Sequence, residues 1–208
     1  MPVRAWLVGL LSVLLGACAG TPSTQERAER ATRSSIDDER VLAGGAAADA
    51  LPPQAVERFE AAVVHMNAGD TAAAEQAFRA LAKDYPTYSG PLVNLGILAA
   101  KNGRLTEAEE AFKAALERNP RNAAAWNQLG IVYRKQGRFA DADRAYQRAL
   151  ELDPQYANAY LNLGVLCDLY LHQPQRALEA YERYLELSSA PDARVSAWVS
   201  ELRKRAGG

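Results

Sequence analysis

The sequence predicts an all-α solenoid of stacked helix-turn-helix units, and three observations predict it. Aligned on itself, the chain repeats at one interval: Gly69, Gly103 and Gly137 are 34 residues apart, as are Ala74, Ala108 and Ala142, Phe78, Phe112 and Tyr146, and Pro86, Pro120 and Pro154. Apolar residues within each interval recur at helical spacing, as Trp126, Leu129 and Tyr133 do. Alanine is abundant while Val, Ile, Phe and Trp are scattered, which favours helix over sheet.

The N-terminus reads as an address. Arg4 and the α-amine precede an apolar run from Ala5 to Ala17, thirteen residues long and too short for the roughly 20 that a membrane span needs. Residues 1–17 are therefore expected to be a cleaved signal. The run closes with Leu15-Gly16-Ala17-Cys18, which resembles the lipobox of bacterial lipoproteins. The resemblance implies that Cys18 is lipidated and becomes the first residue of the mature chain. Each buried methylene contributes about 0.8 kcal/mol, so the acyl chains of such a protein anchor it to a membrane. Ala19 rather than Asp follows the cysteine, which in such lipoproteins goes with the outer membrane, the repeats facing the periplasm.

Residues 18–53 are expected to be the lipidated cysteine and a flexible tether, rich in small and charged residues and ending at Pro52-Pro53. Gln25 to Ala31 could form a short helix, but it has no apolar face with which to dock and is read as disordered.

Residues 54–191 hold four units, 55–88, 89–122, 123–156 and 157–191. Gly96, Gly130 and Gly164 lack a Cβ where the partner helix must come close. Ala108, Ala142 and Ala177 serve that approach, and Phe112, Tyr146 and Tyr181 fill the space beside them. Gly103 and Gly137 are expected to end first helices in the left-handed conformation, and Thr106 with Glu109 to form a capping box. Pro86, Pro120 and Pro154 stop the second helices. The fourth unit has one extra residue and no turn glycine, so its first helix is expected to run about a turn long, to His172 or Gln173, before Pro174 opens the next. Leu169, Tyr170 and Leu171 there are read as packing, with a contact patch as the alternative.

Residues 192–206 are expected to form a capping helix that closes the last unit with Val195, Trp198 and Leu202. An exposed tryptophan recognition site is the alternative reading of Trp198.

Leu95-Gly96, Trp126 with Leu129-Gly130, and Tyr160 with Leu163-Gly164 complete the pattern of the tetratricopeptide repeat (TPR), and the chain resembles that family. The resemblance implies a right-handed solenoid and a concave groove lined by the first helices. Family geometry then assigns groove positions to Phe59, Val63, Val93, Ile97, Asn127, Ile131, Leu161 and Val165, with Lys101, Arg134 and Lys135 along one edge and Asp168 further on. An apolar floor with a basic rim suits an amphipathic helix or a peptide with aliphatic anchors and some acidic character. TPR proteins that clamp a C-terminal carboxylate use Asn and Lys where this chain has Ile and Val, which disfavours that use.

Chemistry of other kinds finds no support. The net charge is −1 with both signs interspersed, so nucleic acid is not an expected partner. His65 and His172 have no Cys or carboxylate at ligand spacing, and neither a phosphate loop nor a nucleophile motif is present. Cys167 is read as an inert core thiol. No metal, cofactor or small-molecule substrate is expected, and the chain is read as a non-enzyme. The run Glu107 to Glu110 is read as the solvated back of a helix.

A signal, a lipobox and stacked repeats together resemble the pilotins of type IV pili, lipoproteins that bring an outer-membrane secretin to its membrane. That resemblance implies an assembly factor. An adaptor for peptidoglycan enzymes or for a TonB-like envelope complex is the alternative, and an unrecognised enzyme a more remote one.

Overall fold

A computed structural model describes residues 23, 26, 27, 52–188 and 192–206. The signal, Cys18 and most of the tether lie outside the described residues. The described chain holds nine helices: α1 (Pro53–Asn67), α2 (Thr71–Asp84), α3 (Gly90–Lys101), α4 (Leu105–Arg118), α5 (Ala123–Lys135), α6 (Phe139–Leu152), α7 (Ala157–Leu169), α8 (Pro174–Leu187) and α9 (Ala193–Ala206). They pair as four helical hairpins. Each second helix also packs on the first helix of the next hairpin, and α9 packs on α8. This is the solenoid the repeat predicts.

The turn glycines sit where left-handed backbone is required, with φ of 79°, 74° and 77° at Gly69, Gly103 and Gly137. Close helix approach is equally concrete. A Cβ on Gly96 would lie 2.7 Å from the Phe112 ring, and one on Gly130 or Gly164 would lie 2.5 Å from Tyr146 or Tyr181. The three aromatic side chains are fully buried. Helices α2, α4 and α6 end two residues before Pro86, Pro120 and Pro154. Trp126 uses the turn between units, its indole N–H donating to the Pro120 carbonyl at 3.0 Å.

Two local expectations fail. No capping box opens α4: the helix begins at Leu105, its N-cap is Arg104, and no side chain caps it. That register puts Thr106 inside the first turn, and Glu109 is drawn instead to Lys113, Gln136 and Arg138. True side-chain caps stand at Asp70 and Asn122, which accept from the Ala73 and Ala125 amides at 3.2 and 3.0 Å. In the fourth unit α7 is not lengthened but stops at Leu169, after 13 residues, as many as α5. The extra residue goes into the turn. His172 takes φ 53° in place of the missing glycine, and the Leu171 and Gln173 amides donate back to the Leu166 and Cys167 carbonyls at 3.0 and 2.8 Å. Pro174 then opens α8 as expected.

The reading of Leu169, Tyr170 and Leu171 as packing holds, since all three lie against the core and Tyr170 stacks on Phe139 with ring centroids 4.8 Å apart. The capping helix behaves likewise: Val195, Trp198 and Leu202 are buried, and Trp198 lies 5.5 Å from Tyr181 between ring centroids.

The run at Glu107 is more than a solvated back. The Glu109 side chain is only 13% exposed and bridges units, accepting from Arg138 at 2.9 Å. The 34-residue period repeats the arrangement: Glu75 pairs with Arg104, and Asp143 with Arg176 at 2.8 Å. A carboxylate on each of α2, α4 and α6 thus ties down an arginine at the start of the next unit's second helix.

Candidate functional site

The candidate site lies on the first helices α1, α3, α5 and α7, which carry all twelve groove positions read from the sequence. Apart from Val63, the apolar ones are closed off. Val93, Ile97 and Ile131 belong to the central core, Leu161 and Val165 to the core shared with α9, and Phe59 to the core of the first unit, where it meets Phe78 and Tyr88 with ring centroids 5.6 and 5.4 Å away. Val63 is half-buried, while Lys101 and Lys135 are exposed.

Asn127 and Arg134 are buried rather than displayed. The Asn127 amide donates to the Tyr156 hydroxyl at 3.4 Å and accepts from Asn162 at 3.0 Å, a polar link between units three and four that satisfies groups water cannot reach. Arg134 stands beside the Tyr146 phenol, which burial pushes up and Arg134 partly draws down.

At the C-terminal end of this face the chain supplies its own occupant. Arg27 is buried, and one guanidinium nitrogen donates to Asp168 at 2.9 Å, another to Glu201 of α9 at 3.1 Å. Its guanidinium carbon lies 5.0 Å from the centre of the Trp198 ring, within cation–π range. Arg205 approaches the other Asp168 oxygen at 3.4 Å. The expectation that the segment around Gln25 has nothing to dock with therefore fails at Arg27. Arg27 docks through charge and a ring face.

Local structure presents this arginine. The Ser23 amide donates to the Glu26 carboxylate at 2.7 Å, the Glu26 amide donates to the Ser23 hydroxyl at 3.2 Å, and the Arg27 amide donates to the Ser23 carbonyl at 3.0 Å. This reciprocal pair is a capping box, opening a helical turn with Arg27 on it. The signal was in the sequence as Ser23-Thr24-Gln25-Glu26.

Cys167, next to Asp168, is buried, and burial pushes its thiol up to about 11. Burial likewise raises the Tyr181 phenol. Neither group is poised for chemistry near neutral pH. Among the described residues no cluster of His, Cys, Asp and Glu could hold a metal ion. Among them, too, no helix is long and apolar enough to cross a membrane.

Two family models, each described as tetratricopeptide repeat, match residues 58–88, and 93–157 with 127–168. Between them they span half of the chain. The chain belongs to the tetratricopeptide-repeat family. The matched repeats make it a scaffold of the TPR type for protein–protein interaction, and the matches end at Asp168, where the fourth unit departs from the pattern. Solved structures with the same fold include MamA, at 25% identity over 70% of this chain and 84% of that one with a TM-score of 0.62. A thermophilic TPR protein of Thermus thermophilus is 22% identical over 74% of this chain and 83% of its own, with a TM-score of 0.60. The first TPR of Spaghetti (RPAP3), solved with an HSP90 peptide of sequence SRMEEVD, is 22% identical over 58% of this chain and 94% of its own, with a TM-score of 0.54. No curated protein matches the chain.

Proposed function

We propose that the protein is a lipid-anchored scaffold of the bacterial envelope, held at the outer membrane through Cys18, whose repeats face the periplasm and bind a partner helix or peptide along the first-helix face. The observation that carries the reading is the docking of Arg27. That face takes up a side chain presented on a helical turn from outside the repeats, burying it against Asp168 at 2.9 Å. A partner helix presents side chains in the same way. The Ile and Val at the core of the face set it apart from a carboxylate clamp, so recognition of a C-terminal acidic peptide is not the expected use.

The anchor and the docked arginine constrain each other. Eight residues lie between Cys18 and Arg27, and at about 3.5 Å per Cα–Cα step they reach about 30 Å at most. With Arg27 seated, a lipidated Cys18 keeps the C-terminal end of the solenoid within that distance of the membrane surface. With Arg27 released, the leash extends to Pro53 and the repeats stand further off. Such a device suits a factor that carries a membrane-bound partner to its place, and delivery of a type IV pilus secretin is the assembly role that the architecture supports.

Two experiments test this. Labelling with a fatty acid should mark the wild-type protein and leave Cys18→Ala unmarked; equal labelling removes the anchor. Deleting the gene should deplete the assembled secretin from the outer membrane, and the double variant Lys101→Glu/Lys135→Glu should fail to restore it. Normal secretin assembly in the deletion strain removes the pilus role and leaves the scaffold to serve another envelope partner.

A further inference from the structure

Burial is what makes the Asp168 site informative. The Asp168 side chain is 4% exposed, and an ionised carboxylate so placed needs a cation held close. Arg205 alone is a weak match, at 3.4 Å and 52% exposed. Glu201, at 3.1 Å from Arg27, adds a second negative charge. Trp198 closes one side with a ring 3% exposed, whose indole N–H has no acceptor among the described residues. Removing Arg27 leaves two carboxylates and an aromatic face, with Arg205 as the partner that remains to Asp168 among the described residues. Arg134 adds positive charge near Tyr181, though the phenol feels Asp168 more strongly.

The shape of the site selects among cations. Two guanidinium nitrogens go to carboxylates on two different helices, α7 and α9, while the planar group lies over an indole. An ammonium is a point charge and cannot span two acceptors from above a ring in the same way. From this geometry we propose that Asp168, Trp198 and Glu201 form an arginine-recognition site for a helical partner, in which Arg27 is the chain's own competing occupant. The proposal rests on the first-helix face being the working surface, and gives its partner a definite chemistry: an arginine on the first turn of a helix. It also turns the basic-rim expectation around at this end of the groove, where the accepting charge is negative.

Competition follows from connectivity. Arg27 is tethered to α1 through the residues before Pro53 and so competes at a high effective concentration, which a free arginine peptide must overcome. Its removal opens the site.

The test uses the full chain and a fluorescein-labelled peptide of residues 23–33, read by fluorescence anisotropy. Arg27→Ala protein should bind the peptide at least about tenfold more tightly than the wild type, since the tethered competitor is gone. Peptides carrying Arg27→Ala should not bind, and Arg27→Lys peptides should bind at least about fivefold more weakly. An unrelated alanine-rich helical peptide with one arginine in its first turn should bind Arg27→Ala protein and lose that binding in Arg27→Ala/Asp168→Asn. Circular dichroism fixes the fold of each variant, and should Arg27→Ala lose helix, Arg27→Lys protein takes its place with the charge retained. Equal affinity for wild type and variant, equal binding of the alanine peptide, or no binding by a folded variant overturns the proposal and leaves Arg27 a structural strap. The secretin and lipid experiments are read separately, so failure of the envelope role leaves this result standing, and the reverse.

Discussion

Arg138, at the turn of the third repeat, donates from one guanidinium nitrogen to both carboxylate oxygens of Glu109 in the second, at 2.9 Å each. Lys113 and Gln136 donate to the same carboxylate at 2.6 and 3.0 Å. Burial opposes ionisation of Glu109, but these hydrogen bonds outweigh it and hold the carboxyl down at about 2. The unfolded chain takes up its proton first, near 4.5. The stabilisation is therefore complete above that value and is lost as the pH falls from about 4.5 towards 2. Urea midpoints of wild type and Glu109→Gln should differ fully at pH 6, converge below pH 4.5 and coincide near pH 2. A difference that grows on acidification contradicts the pairing.

Gly130 governs how closely α5 and α6 approach. Gly130→Ala places a Cβ 2.5 Å from the fully buried Tyr146 ring, and overpacking of this kind costs about 1–3 kcal/mol. The melting temperature should fall by several degrees. Recovery in Gly130→Ala/Tyr146→Leu, where the smaller side chain makes room, distinguishes the clash from a loss of glycine flexibility. No recovery argues against close approach as the reason for this glycine.

Cys167 should resist a thiol reagent at pH 8 in the native protein, because the group is buried and burial holds its thiol up to about 11. Modification should follow unfolding in urea and give one thiol per chain in a Cys18→Ala background. Rapid native labelling contradicts the core placement.

The pattern of what the sequence revealed follows from how far each interaction reaches. Gly96 with Phe112 and Gly130 with Tyr146 were legible because the helical period and the 34-residue repeat both put them together. The ladder of Glu75, Glu109 and Asp143 shares that period and was visible in principle, hidden only by reading exposed charge as solvated. The fourth turn was misjudged because left-handed backbone was expected only of glycine, and His172 adopts it at φ 53°. At Thr106 the short motif competed with the register that buries Ala108 and Phe112, and packing won. Arg27 escaped because its partner is 141 residues away and the attraction is electrostatic, so no hydrophobic periodicity marks it. The residues assigned to a groove all lie on the first helices, with their apolar members divided among three cores.

Partners are expected to meet the protein on its first-helix face. Site-specific photo-crosslinking reads this whatever the identity of the partner. A photoreactive amino acid at Lys101 or Lys135, exposed on α3 and α5, should give a discrete crosslinked species in envelope fractions, while the same group at Glu117 or Arg144, exposed on the second helices α4 and α6, should give none. Crosslinks from Glu117 and Arg144 alone would contradict the claim and move the working surface to the opposite side of the solenoid.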